Sequence, residues 1–234
     1  MKGVIMQPYI FPYLGYFQLI NETEIFVFYD NVNFIKKGWI NRNRILLENK
    51  EFMFSIPIKQ MSQNRLISET KIDVNAYENW KIKFLQTLCQ SYKKAPNFES
   101  IYQIVLEILE LGSDNITDLT IRSIKAISDY LNLETVFIKS SSLDINESLK
   151  GEDRIIQICK QLNIQDYINP IGGKVLYRKE NFTRNGINLN FLNPNFQDYN
   201  QYNNEFIKGL SIIDVLMFND AIGLKNLLKQ YNLE

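Results

Sequence analysis

The hydrophobic positions along the chain change rhythm twice. Lys2 to Met6 is a short apolar run that ends at the polar Gln7-Pro8, which predicts a buried strand feeding a loop. That loop, Gln7 to Tyr16, holds two prolines and three tyrosines. Pro8 and Pro12 restrict their own backbone and that of the residue before, so the connection is stiff and irregular. A short helix over about Gly15–Asn21 follows, then a second buried strand, Ile25 to Tyr29, ending at Asp30. Strand, loop, helix and strand at this spacing predict a βαβ unit and a parallel sheet.

Between Trp39 and Ile58 the pattern becomes that of a β-hairpin. Ile40, Ile45, Leu46 and Leu47 lead to a turn at Glu48-Asn49-Lys50, and Phe52, Phe54 and Ile56 return. A polar loop from Lys59 to Arg65 precedes a short predicted strand near Ile67–Ile72. Three helices are expected next, at about Asn75–Tyr92, Phe98–Leu111 and Asn115–Leu131. The second sets Ile101, Ile104, Val105, Ile108 and Leu109 along one face. Alternation then resumes with a strand at Thr135–Ile138, a helix at Asp153–Leu162 and a strand at Tyr167-Ile168 closing on Asn169-Pro170. A strand at Ile187–Leu192 and helices near Ser211–Phe218 and Ala221–Tyr231 complete the chain. No repeat, low-complexity tract or Pro/Gly/Ser-rich linker interrupts it. The simplest reading is one α/β domain over 1–234, a mainly parallel sheet with a β-hairpin and a helical insertion at about 75–131.

Composition narrows the function more than the fold. Hydrophobic residues at 45% and charged residues at 22% are ordinary for a globular chain. Lys plus Arg equals Asp plus Glu, 26 of each, which argues against a surface built to coat DNA or a membrane but leaves room for a local basic groove. No apolar run approaches the ~20 residues of a membrane span. Cys89 and Cys159 fall in helix-like apolar patterns and read as reduced core thiols of a cytoplasmic protein. The chain has no histidine. Ser-His-Asp and Cys-His arrangements are therefore excluded, as is a histidine-ligated metal site, and no metal site is expected. Proton transfer falls to Asp, Glu, Tyr, Lys, Cys or the substrate.

Four segments carry candidate chemistry. The proline-tyrosine loop follows a strand, where ligands bind in α/β sheets, and Gln7, Tyr9, Tyr13 and Tyr16 offer polar groups and flat faces. In Lys36 to Arg44, strand alternation sets Arg42 and Arg44 on one face and Asn41 and Asn43 on the other. The arginines make a fork suited to a diphosphate or carboxylate, beside Trp39. A solvated hairpin face is the plainer alternative. Asp30, at a strand end, is the best single carboxylate for a base or substrate anchor. In Asn169-Pro170-Ile171-Gly172-Gly173-Lys174, paired glycines after a strand let the backbone approach a ligand, although the run is neither a Walker A loop nor a dinucleotide fingerprint. In Gly209 to Asn219, Ser211 is a plausible helix cap, and Asp214 lies within an apolar helix, where it needs a cation or hydroxyl partner. The charges of Lys150-Gly151-Glu152-Asp153-Arg154 open a helix and read as capping.

At these same segments the chain resembles the WbqC-like family of bacterial polysaccharide-locus proteins. The matching runs are Met6-Gln7-Pro8-Tyr9, Tyr16 to Ile20, Tyr29-Asp30, Lys37 to Arg44, Tyr167 to Gly173 and Gly209 to Asn219. The resemblance implies an enzyme of surface-polysaccharide synthesis working on a sugar nucleotide, a dTDP- or UDP-linked dideoxy amino sugar. The expected reaction is N-acylation of its amino group with an amino acid such as glycine. Asp30, Asp214 and Tyr16 are then the expected catalytic groups. Gln7, Tyr9, Tyr13, Trp39, Asn41, Arg42, Arg44, Asn169, Gly172, Gly173 and Ser211 are the expected substrate contacts. The acyl donor is an aminoacyl-tRNA or an aminoacyl-adenylate made from ATP with magnesium. A looser likeness concerns fold. Tyr13-Leu14-Gly15-Tyr16 resembles the His-x-Gly-His element of nucleotidyltransferases with both histidines replaced, so the sheet is expected to be Rossmann-like and of that type. An ATP-dependent nucleotidyltransferase-like enzyme and a non-catalytic sugar-nucleotide binding protein stand as alternatives.

Overall fold

Six strands form the central sheet of the computed structural model, which describes residues 1–202 and 205–234. β1 (Lys2–Met6) pairs in parallel with β2 (Ile25–Phe28), Gly3 opposite Ile25 and Met6 opposite Phe28. The apolar run of β2 is buried along its whole length, as a strand covered on both faces must be. α1 (Leu14–Glu22) makes the crossover between them. β2 pairs outward with β5 (Val136–Lys139), while β1 pairs on its other side with β6 (Asp166–Pro170). β7 (Asn188–Pro194) continues the parallel sheet, and β8 (Tyr231–Leu233) closes it antiparallel, giving the order β5-β2-β1-β6-β7-β8. α5 (Gly151–Gln161) carries the chain from β5 back across to β6. Connections thus leave β1 toward opposite edges, and the crevice between the C-terminal ends of β1 and β6 is the switch point where such sheets take ligands.

Two apolar clusters cover the sheet. One gathers Phe26, Phe28 and Tyr16 with α1, the hairpin and the helices α2 (Val74–Tyr92), α3 (Phe98–Glu110), α4 (Ile116–Tyr130), α7 (Ile212–Phe218) and α8 (Ala221–Leu227). The other packs Val27, Tyr167 and Phe191 against α5 and the short α6 (Lys179–Arg184). The hairpin β3 (Arg42–Leu47) and β4 (Lys50–Ser55) forms its own two-stranded sheet. Glu48 and Asn49 have φ of +50° and +60°, the left-handed pair that a tight two-residue hairpin turn requires. Asp73 caps α2 by accepting from the Asn75 and Ala76 amides, and Asn115 caps α4 by accepting from Thr117. No helix among the described residues is long and apolar enough to cross a membrane. Cys89 and Cys159 are unpaired.

Two predicted elements differ. The strand expected at Ile67–Ile72 is a 3-10 turn at Ile67–Glu69 with single bridges on either side, Asn33 to Leu66 and Ile58 to Ile72. Its polar residues bond locally: the Thr70 hydroxyl donates to the Leu66 carbonyl at 2.8 Å and Glu69 accepts from the Leu66 amide at 3.3 Å. Such bonds compete with a strand ladder. The helix expected through Tyr231 stops at Leu227, because the buried Gln18 amide donates to the carbonyls of Leu227 (2.8 Å) and Gln230 (2.9 Å). Held there, the chain turns into β8.

Phe26 is fully buried, with ring centroids of Tyr16 and Phe28 each at 5.1 Å and Phe137 at 5.9 Å. Phe26→Ala is expected to lower stability by about 3–5 kcal/mol in urea unfolding. Phe137→Ala, at a half-buried position, is expected to cost less.

Candidate functional site

A cleft of about 440 Å³ opens at the C-terminal ends of β1 and β6. Met6, Pro170, Ile171 and Gly172 form its floor from the two strand ends. Tyr9, Pro12 and Tyr13 of the loop after β1 make one wall, and Trp39, just before the hairpin, with Asn43 and Arg44 of β3 makes the other. Phe196, just beyond β7, and Gly209 complete it. Three surface hollows of about 510, 550 and 480 Å³ are larger but lie away from these strand ends, one against α8, one between the hairpin turn and the end of α2, and one between the hairpin turn and Lys208. Position at the switch point and the aromatic lining, not volume, single out this cleft.

The loop between β1 and α1 has no regular structure, so its backbone groups need other partners. The Asn43 amide donates to the carbonyls of Ile10 (3.1 Å) and Phe11 (2.7 Å). The Ser211 hydroxyl donates to Phe11 O at 2.7 Å, the Ile212 amide donates to Pro12 O at 2.8 Å, and the Ile10 amide donates to Ile40 O at 3.1 Å. These clamps hold Phe11 at a φ of +41°, which a bulky side chain rarely adopts. Ser211 also caps α7 by accepting from Ile213 at 3.3 Å, as its sequence position predicts. Tyr9 and Tyr13 face the cleft, and Tyr9 Oη donates to Gln7 Oε1 at 3.5 Å. Burial raises the pKa of both phenols, that of Tyr13 to about 12. Tyr16 instead points inward, fully buried, its hydroxyl donating to Gln7 O at 2.9 Å. A Cβ on Gly15 would meet Tyr13 Cε2 at 2.4 Å and Pro194 Cγ at 2.8 Å, so glycine there lets the Tyr13 ring lie across the start of α1.

The hairpin bears out the predicted alternation. Arg42 and Arg44 share a face, their guanidinium carbons 5.7 and 5.2 Å from the Trp39 ring centre. They do not form an open fork. Arg42 turns back to donate to the carbonyls of Gly38 (2.9 Å) and Lys37. Arg44 Nη1 donates to both oxygens of Glu51 (2.8 and 2.9 Å) and Nη2 to Gly209 O (3.1 Å), and its Nε is buried without a partner. Asn41 is buried and ties the hairpin together through Ile56 O at 2.9 Å.

Neither candidate aspartate lines the cleft. Asp30 Oδ1 accepts from the Ser140 hydroxyl (3.0 Å) and the Ser141 amide (2.9 Å), and Oδ2 from the Ser141 hydroxyl (2.6 Å), stapling the end of β2 to the end of β5. Asp214 is fully buried; it accepts from the hydroxyls of Tyr92 (2.8 Å) and Tyr199 (2.6 Å) and the Gln201 amide (2.6 Å). Burial raises its pKa, and these three donors oppose the rise. Its partners are hydroxyls and an amide, with no cation among those bonds. Asn169 is buried beneath the cleft floor, accepting from Tyr167 at 3.0 Å and donating to Pro170 O at 3.1 Å. Gly173 leaves room for that amide, since a Cβ there would lie 1.9 Å from Asn169 Nδ2, whereas Gly172 opens onto free space.

The comparisons with known proteins bear on the same elements. The model of the WbqC-like protein family matches residues 7–225, from the start of the proline-tyrosine loop into α8. The chain belongs to the WbqC-like family. An uncharacterised protein of Mycobacterium tuberculosis, Rv1507c, is 27% identical over 221 residues, which is 93% of each chain. No solved structure matches the chain.

In this WbqC-like chain, Tyr9, Tyr13, Trp39, Arg44 and Gly172 meet in one cleft. Gln7, Tyr16, Asn41, Asn169, Gly173 and Ser211 shape the surrounding backbone, and Arg42 folds onto its own loop. Sequence reading missed Asn43 as a lining residue and Phe196 altogether. Asn193-Pro194-Asn195-Phe196 follows a strand just as Asn169-Pro170 does, and that shared position was the available signal. Among the described residues, no three Cys, Asp or Glu side chains are grouped to hold a metal.

Asp214→Asn replaces an acceptor oxygen with a donor facing donors, at an expected cost of about 1–3 kcal/mol in urea unfolding. Because the folded pKa of Asp214 lies above the ordinary 3.8, its protonated form is favoured in the fold. Wild-type stability relative to the variant is therefore expected to fall as pH rises through the window just above 3.8.

Proposed function

We propose that this chain is a transferase that binds a nucleotide-linked dideoxy amino sugar and acylates its amino group with an amino acid such as glycine. The observation that carries the reading is the cleft at the β1–β6 switch point, walled by Tyr9, Tyr13, Trp39 and Phe196 with the Arg44 guanidinium beside them. Flat aromatic faces suit a base and a sugar ring, and a charged donor among them suits an anionic ligand. Family membership supports a role associated with surface polysaccharides.

In this reading the neutral sugar amine attacks the acyl carbon of an aminoacyl ester or adenylate. A C–N bond forms, the carbonyl oxygen takes negative charge, and the tRNA hydroxyl or AMP leaves as the amine gives up its proton. Tyr9 and Tyr13 are phenols protonated at neutral pH, and burial raises their pKa further, so both are suited to donate to that oxyanion. Asp30, Asp214 and Tyr16 then act as positioning residues. No carboxylate lines the cleft among the described residues, so the amine proton passes to the leaving group or to water. That same lining favours a second reading, a sugar-nucleotide binding protein without catalysis. Of the two positions that match nucleotidyltransferase histidines, only Tyr13 faces the cleft, which disfavours adenylyl transfer.

Titration with dTDP- and UDP-linked amino sugars is expected to show binding that Trp39→Ala and Arg44→Gln each weaken, by about tenfold for the lost aromatic and charged contacts. Mass spectrometry with glycyl-tRNA, or with glycine and ATP, is expected to show one glycyl residue added to the sugar. Binding without any such product would support the second reading, and no binding of any sugar nucleotide would sink both.

A further inference from the structure

Arg154, the fourth residue of α5, has a use that helix capping does not explain. Lys150 at the N-cap makes no side-chain cap, and the Glu152 carboxylate faces α6, accepting from the Arg178 amide (3.3 Å) and the Asn181 amide side chain (3.2 Å). No hydrogen bond or ion pair from a described residue reaches the Arg154 guanidinium, and its Nε is buried without a partner. The guanidinium carbon lies 5.7 Å from the centre of the Tyr29 ring. Its outer Nη nitrogens are not buried and bond to no described residue, so this half-buried arginine has donors to offer an anion.

Its place connects it to the cleft. The Tyr29 amide donates to Met6 O at 2.7 Å, so Tyr29 follows the end of β2 one strand spacing from the cleft floor. Its side chain packs with the cluster on the α5 and α6 face, opposite to Met6 and Tyr13. Between the two faces the backbone is open at Gly172, where a Cβ would meet nothing within 4 Å, while Gly173 beside it is filled by the Asn169 amide at 1.9 Å from such a Cβ. A ligand with two ends can therefore cross the edge over this backbone. Arg44, on the cleft side, already has its charge matched by Glu51 at 2.8 Å, whereas Arg154 has no such partner among the described residues.

We propose that Arg154, with the Tyr29 hydroxyl, binds the diphosphate of a ligand of which one end occupies the cleft and the rest crosses the strand edge at Gly172. This rests on the reading of the cleft as a sugar-nucleotide site, and the Arg154 site itself is testable without it. The diphosphate could come from a nucleotide-linked sugar or from ATP, and the two sources are separated by titration.

Inorganic pyrophosphate, a dTDP-linked amino sugar and ATP are each titrated calorimetrically into the full chain and its variants. Wild type is expected to bind pyrophosphate, more weakly as salt rises. Arg154→Gln is expected to weaken pyrophosphate and the sugar nucleotide alike by about 10- to 100-fold, the scale of charge-assisted hydrogen bonds. Arg154→Lys should recover part of the loss, and Tyr29→Phe should show a smaller loss with the ring kept in place. Trp39→Ala should weaken the sugar nucleotide only. If Arg154→Gln does not fold, Arg154→Lys and Tyr29→Phe decide the matter. Arg154-dependent binding of the sugar nucleotide names it as the source, and Arg154-dependent binding of ATP alone names ATP. Wild type that ignores pyrophosphate, or folded Arg154 and Tyr29 variants that bind it as tightly as wild type, would overturn the proposal. Arg154-dependent pyrophosphate binding with no affinity for any sugar nucleotide would leave this site standing and remove only the sugar-nucleotide reading.

Discussion

The carbonyl oxygens of Ile10, Phe11 and Pro12 are the points from which the rest of the site hangs. An irregular loop at a strand end exposes polar backbone that burial makes costly, so it persists only where other elements supply donors. Here the hairpin supplies Asn43, and the start of α7 supplies the Ser211 hydroxyl and the Ile212 amide. Segments distant in sequence are thereby locked around one bend at Phe11. The walls of the cleft follow directly. Tyr9 and Tyr13 flank the clamped stretch, and Arg44 is the next residue after Asn43. Ser211 also ties the hairpin in directly, its amide donating to Arg44 O at 2.8 Å.

A second knot keeps the hairpin from drifting away from that clamp. The Leu46 amide donates to the Tyr92 hydroxyl at 2.8 Å, which in turn donates to Asp214. β3, α2 and α7 meet at one buried carboxylate, so the hairpin, with Arg44 on it and Trp39 just before it, is fixed to the same helix that holds the loop. A buried anion surrounded by neutral donors is less favourable than one in water, which is why its pKa moves up rather than down. Its contribution is geometric. It sets where the hairpin stands relative to the sheet, and with it the width of the cleft.

Much of the fold was legible because it is written in periodicity. The unbroken apolar runs of β1 and β2 and the one-sided faces of α2 to α4 specify their own burial, whatever surrounds them. Alternation along Trp39 to Arg44 likewise sorted arginines from asparagines. Of the two elements that failed, the strand failed through bonds to its own neighbours and the last helix through a partner far along the chain. Leu224 to Tyr231 reads as a helix until Gln18, in a different helix, takes its terminal carbonyls. Ile67 to Ile72 has the apolar ends of a strand, but Glu69 and Thr70 bond to their own neighbours. Site residues were hardest because their partners also lie far along the chain. An asparagine such as Asn41 or Asn43 reads alike whether it meets a ligand or a backbone carbonyl. The sequence does not show that Asp30 faces Ser140 and Ser141, or that Arg154 lies over the Tyr29 ring.

A crystal structure of the chain with a nucleotide-linked amino sugar would test the central assignment most directly. The ligand is expected between Tyr13, Trp39 and Phe196, crossing the strand edge at Gly172. Ligand held instead in the hollow beside Tyr130 and Lys225, with the switch-point cleft empty, would contradict it.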